Sequence, residues 1–123
     1  MQGHRDLKVW QKAMGLVTAV YKLTTSFPKN ETYGLASQMQ RAAVSVPSNI
    51  AEGHGLKQTQ AYLRHLAIAN GSLAELETQL EIAQRLGYIV AQDKSLMSQD
   101  NEVGRMLAGL RRSLQCRLDK PES

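Results

Sequence analysis

The chain has 123 residues, 42% of them hydrophobic and 21% charged, with fifteen Lys and Arg against eleven Asp and Glu for a net charge of +4. That is the size and composition of a globular chain able to bury a core without staples, and residues 1–123 read as one domain with an ordered core over about 5–118 and a polar C-terminal tail. Six aromatics and three prolines argue against a β-sandwich, no apolar run approaches the roughly 20 residues of a membrane span, and a lone Cys116 closes no internal disulfide, so the expected compartment is a reducing cytoplasm.

The first helix is predicted over about Asp6 to Thr25, with Asp6 as N-cap or first-turn acid. Leu7, Trp10, Met14, Val17 and Tyr21 form one apolar stripe and Val9, Ala13, Leu16, Val20 and Leu23 a second beside it. Two adjacent stripes exceed what one bundle seam buries, so one is expected to meet a second subunit. Trp10, Val17 and Tyr21 are assigned to the core and Val9, Leu16 and Val20 to the oligomer interface, although the spacing alone allows the reverse.

Ser26-Phe27-Pro28 ends that helix, and a second is expected from Asn30, as N-cap, or Glu31. Leu35, Met39, Ala42, Ala43, Val46 and Ile50 keep its period across Pro47, which predicts a kink rather than an end, with Gly53-His54-Gly55 as the stop. Asn49 and Glu52 read as partners for backbone groups near the proline or as a subunit contact. A third helix is predicted from Gln58 or Thr59 to Leu86, with a seam of Leu63, Leu66, Asn70, Leu73, Glu77 and Leu80 and a stop at Gly87. The fourth runs from an N-cap at Asp93 to about Arg117, burying Leu96, Val103, Met106, Leu107, Leu110 and Leu114. Short connections make successive helices antiparallel, so the fold class is all-α, an up-down-up-down four-helix bundle with its second helix kinked near Pro47.

The chemistry of the chain is sparse. There is no Walker loop, GxGxxG, GxSxG, CxxC or HExxH. Glu75, Glu77 and Glu81 lack the Glu-x-x-His companions of a di-metal bundle, and Glu81 with Arg85 reads as a helix-surface pair. No catalytic, cofactor-binding or metal-binding residue is assigned, and the chain reads as a non-enzyme.

Three stretches then stand out: DLKVWQKA (Asp6 to Ala13), SQMQRAAVSVPSNIAEG (Ser37 to Gly53) and NGSLAELETQLEIAQRLGYI (Asn70 to Ile89). Together and in this spacing they resemble the bacterial four helix bundle protein family, also called the 23S rRNA intervening-sequence protein or S23 family, over about residues 5–118. The resemblance implies a four-helix bundle that assembles as a homopentamer. It also implies a link to intervening sequences in ribosomal RNA genes, or, in a related branch, to a reverse-transcriptase nucleoprotein of diversity-generating retroelements. The chain departs from the family pattern at Gln40-Arg41, where a basic pair is common, and at Leu56, where an Arg is common.

Residues 1–57 hold seven basic and three acidic side chains, so the positive excess lies early in the sequence. A basic surface attracts the phosphate backbone, and the candidate nucleic-acid contacts are Arg5, Lys8, Lys12 and Arg41, with Arg111 and Arg112 on the last helix. Two functions follow: an oligomeric module that associates with RNA or a nucleoprotein, or a protein-interaction scaffold with no nucleic-acid role. Neither involves a membrane or a small-molecule substrate.

Overall fold

A computed structural model describes residues 3–90 and 92–120; the expected tail beyond Lys120 lies outside them. Four helices form: α1 (Lys8–Thr24), α2 (Leu35–Gly55), α3 (Thr59–Arg85) and α4 (Ser95–Asp119), with short 3-10 turns at His4–Asp6 and Lys29–Glu31. No strand occurs among the described residues. Each helix packs on two others, α1 on α2 and α4, and α3 on α2 and α4. The bundle is thus a square with α1 diagonal to α3 and α2 to α4.

The apolar stripes of α1 sit the other way round from the assignment above. Val9, Leu16 and Val20 are 6%, 0% and 0% exposed; they belong to the chain's own core and are not free to meet a second subunit. Met14 and Tyr21 are the exposed pair, with Trp10 and Val17 half-buried between them. The reason is register: the stripe of Val9, Ala13, Leu16 and Val20 points along the diagonal toward α3, while Trp10, Met14, Val17 and Tyr21 lie about 100° round the helix on its outer flank.

α2 runs unbroken through Pro47, whose ring is buried against the core, so the helix does not end there. Asn49, half a turn beyond, donates from Nδ2 to the Ser45 carbonyl (2.8 Å) and to Ser45 Oγ (3.0 Å). Ser45 Oγ also accepts from Ser72 Oγ of α3 at 2.8 Å. Asn49 Oδ1 lies 3.0 Å from His65 Nδ1; because the amide oxygen only accepts, the ring carries its hydrogen on Nδ1. The segment around the proline is thereby a polar seam joining α2 to α3. One turn on, the helices approach so closely that a Cβ on Gly53 would stand 2.8 Å from both His65 Cβ and Tyr62 Cδ1.

The helix ends differ from expectation where distant groups supply the capping. Leu7, not Asp6, occupies the N-cap of α1, and Asp6 falls in the 3-10 turn before it. Asn30 caps nothing, because α2 starts five residues later. Its first turn is served by Glu31, whose Oε1 accepts from the Leu35 amide (3.1 Å) while Oε2 accepts from the Tyr88 hydroxyl (2.8 Å). These two donors, the amide first, hold the Glu31 carboxyl below its ordinary value. Asp93 precedes α4 by two residues, and its Oδ1 accepts from the Ser95 hydroxyl (2.7 Å) and amide (3.1 Å). At the end of α3, Gly87 takes φ +79°. Its amide and that of Tyr88 then donate back to Gln84 and Ala83 at 3.0 and 2.9 Å, a Schellman closure that requires the left-handed residue.

Candidate nucleic-acid interface

Antiparallel topology gathers the start of α1, the end of α2, the start of α3 and the end of α4 at one end of the bundle. That end, residues 3–14, 47–69 and 102–120, holds ten Lys and Arg and four Asp and Glu. The opposite half of the described chain, residues 15–46, 70–90 and 92–101, holds five and six. The positive excess assigned above to the first half of the sequence is therefore an excess at one end in space, and α4 supplies four of its ten cations.

Arg5 and Lys8 are exposed at this end. Arg5 is held in place: its carbonyl accepts from Gln11 Nε2 at 2.8 Å, and its guanidinium stands 5.7 Å from the centroid of Trp10, which His4 meets edge-on from another side. Lys12, one turn after Lys8, points toward α4, with Nζ 3.8 Å from Glu102 Oε1. Both side chains are about half exposed, so this pair is weak and screened. Arg111 and Arg112 flank a shallow groove between α3 and α4 whose floor includes Leu63 and Ala108.

Arg41 stands apart. It lies on the other half of the bundle, at the outer edge of α2 beside Ser72 and Glu75 of α3. Five of the six candidate cations thus share one end, and Arg41 does not join them. The structure adds Arg64 of α3 and Arg105 and Arg117 of α4, all exposed, to the same end. Arg64 was missed because it is isolated in sequence; only the fold brings it beside the clustered arginines of α4.

Other chemistry is thin. Among the described residues no three His, Cys, Asp or Glu side chains are grouped to hold a metal ion, and no helix is long and apolar enough to cross a membrane. Glu81 pairs with Arg85 on the surface of α3 at 2.8 Å, as expected. One acid was not foreseen. Asp100 sits on the buried line of α4 between Leu96 and Val103, 3% exposed, and its Oδ1 has no hydrogen-bond partner among the described residues. Burial, and then the nearby Glu77 carboxylate, push it up to about 7. The signal was present, since 96, 100, 103 and 107 is a helical stripe, but the buried face predicted for this helix leaves Asp100 out.

With this geometry in view, comparison with known proteins places the chain. A sequence model described as 23S rRNA-intervening sequence protein matches residues 5–109. The chain belongs to that family. A solved structure of a protein of unknown function from the S23 ribosomal protein family of Bacteroides thetaiotaomicron superposes with a TM-score of 0.77, covering 85% of this chain and 95% of that one at 21% identity. At that identity the likeness is one of fold. No curated protein matches. Membership of the 23S rRNA-intervening sequence family agrees with the resemblance carried by the PSNIAEG and GSLAELETQL segments.

Proposed function

We propose that this member of the 23S rRNA-intervening sequence family is a non-enzymatic, self-associating bundle that binds the phosphate backbone of RNA through its basic end. The observation that carries the reading is the concentration of ten cations against four carboxylates at that end, drawn from α1, α3, α4 and the segments that flank the helices. Phosphate contacts position a protein on a nucleic acid without reading its sequence, and the aromatics at the described basic end, Trp10 and Tyr62, are both half-buried rather than exposed platforms for base stacking. Self-association is proposed through the outer flank of α1, where Met14 and Tyr21 are exposed. A pentamer, the assembly the sequence resemblance implies, repeats the basic end five times and multiplies weak contacts through avidity.

The test is fluorescence anisotropy with duplex RNAs of two unrelated sequences from low to physiological salt. Wild type is compared with Lys8→Glu/Arg111→Glu/Arg112→Glu and with a control of equal charge change at the other end, Lys22→Glu/Lys29→Glu/Lys94→Glu. Wild type binds both RNAs alike and weakens steeply with salt. The basic-end variant loses about tenfold or more, and its salt slope flattens by roughly one for each contact removed. No binding at low salt, or equal losses in both variants, leaves the protein-interaction scaffold as the better reading.

A further inference from the structure

The buried acid of α4 marks a site distinct from the basic end. Asp100 and Glu77 line an open groove between α3 and α4, of about 390 Å³, whose other walls include Asn70, Asn101, Gly104 and Arg105. Two carboxylates face each other there, one almost wholly withdrawn from water with an oxygen that has no partner among the described residues. A buried carboxylate is retained at low cost only when a cation and hydrogen-bond donors meet it. Arg105 lines the same groove, yet it makes no ion pair with either acid among the described residues.

The groove therefore has the charge, the acceptors and the opening for a planar guanidinium, which matches two carboxylates better than a lysine does. A candidate donor lies at the same height on the bundle. Ser45 Oγ bonds to Ser72 Oγ, and antiparallel packing then sets Arg41, one turn before Ser45, level with about residue 76 of α3, beside Glu77. Within one chain the two cannot meet, because Arg41 is exposed on the outer edge of α2 and α2 is diagonal to α4. Between copies rotated about an axis parallel to the bundle, residues of equal height do meet, and such head-to-tail contacts close into rings.

We propose that the groove between α3 and α4 is a cation socket completed by the guanidinium of Arg41 from a second copy of this chain. The proposal rests on the self-association of the preceding reading and names a second contact face, apart from the outer flank of α1. It also gives assembly a pH dependence. The groups facing Asp100 across the groove are Glu77 from α3 and Arg105 from α4 itself, and a guanidinium binds the ionised acid. Assembly then releases a proton wherever Asp100 of the free chain is protonated.

Sedimentation velocity across a dilution series measures the association of wild type, Asp100→Asn, Glu77→Gln, Arg41→Glu, Arg105→Gln and the charge-exchanged Arg41→Glu/Glu77→Arg, with circular dichroism reporting that each is helical. The three substitutions at Asp100, Glu77 and Arg41 each weaken association by about thirtyfold or more, as truncating one side of a desolvated charge pair does. Arg105→Gln leaves it within a few-fold, and the exchanged pair recovers most of the loss. Wild-type association strengthens by up to about tenfold per pH unit between pH 5 and 7 and levels off above, a trend absent from Asp100→Asn. Should wild type associate while Asp100→Asn and Glu77→Gln behave like it, or should the exchanged pair fail to recover, the socket is wrong and self-association stands. A wild type that is monomeric throughout removes both.

Discussion

Helix α3 has two partners and treats polar groups oppositely toward them. Toward α2 it offers Ser72 and His65, which meet Ser45 and Asn49 in a bonded seam, and it crosses so close to Gly53 that a methyl group has no room. Toward α4 it offers Glu77, which meets another acid, and the glycine there, Gly104, has only one neighbour within 4 Å, Leu73 Cδ1 at 3.8 Å. The α2 side is not free of orphans, since the buried Tyr62 hydroxyl also has no partner among the described residues. That hydroxyl stays neutral, and burial only pushes its ionisation further up. The difference between the two interfaces is thus one of charge: one leaves a neutral hydroxyl without a partner among the described residues, and the other leaves an acid without one.

The largest test of this contrast is Asp100→Leu, measured by urea unfolding at dilutions where the chain is monomeric. Removing an unpartnered buried acid stabilises the monomer at pH 8 by about 1–3 kcal/mol. The sign with pH follows from the raised value near 7. The folded chain keeps its proton up to about pH 7, whereas the unfolded chain releases it near the ordinary 3.8. Wild type therefore loses stability as pH rises from about 4 to 7, and the penalty is constant above. In Asp100→Leu that slope disappears. An unchanged slope would mean that Asp100 is solvated or paired in the monomer.

The two glycines give the next largest effect, and with opposite signs. Alanine gains up to about 1 kcal/mol over glycine inside a helix. At Gly104 the added methyl makes ordinary contact, so Gly104→Ala raises stability by about 0.5–1 kcal/mol. At Gly53 it collides with His65 and Tyr62, and an overpacking cost of about 1–3 kcal/mol outweighs the gain. Thermal unfolding of the two variants side by side decides whether the α2 interface is the tighter one.

These pairs also show what the sequence could and could not tell. Four helices, their order, the stop at Gly87 and continuation through Pro47 were legible, because each depends on local period and backbone chemistry. Which stripe of α1 faces inward was not, since Val9–Val20 and Trp10–Tyr21 are equally apolar and only the position of α3 decides between them. Asn70 and Glu77 were read into the seam of α3, but the buried line runs through Ala69, Ser72, Leu73, Leu76 and Gln79, and both polar residues lie exposed at its edge. Clustered cations such as Arg111-Arg112 were visible. Arg64 became part of the basic end only through topology, and Arg41 was assigned to that surface although the fold sets it on the other half.

Within the α2–α3 interface, Asn49→Ala removes the side chain that joins Ser45 to His65. The half-buried imidazole then loses its acceptor, with the Glu52 carboxylate 3.9 Å away. The expected loss is about 1 kcal/mol, read from the denaturation midpoint. Asn49→Asp keeps an acceptor for the His65 N–H and costs less. Equal losses in the two variants would mean that the bond to Ser45 outweighs the bond to His65.

The smallest effect belongs to Glu31, the acid that makes the sharpest contrast with Asp100. Asp100 has an oxygen without a donor among the described residues; both oxygens of Glu31 have one, from Leu35 and Tyr88. The two acids therefore respond to pH in opposite senses. Because the folded value of Glu31 lies below its ordinary 4.5, its contribution is complete above that pH and is lost as pH falls through the lowered value. The carboxylate is in a connection between helices, so the loss is local: the first turn of α2 opens while the core stays closed. Hydrogen exchange at the Leu35 amide, expressed as a protection factor so that intrinsic pH dependence cancels, should fall on acidification in wild type. Glu31→Gln removes the titrating group and with it that pH dependence. Tyr88→Phe leaves the Leu35 bond intact but, by removing a donor to the carboxylate, moves the fall to higher pH. If protection at Leu35 is the same in all three chains at every pH, the start of α2 is held by packing of Leu35 and Ala36 rather than by the carboxylate.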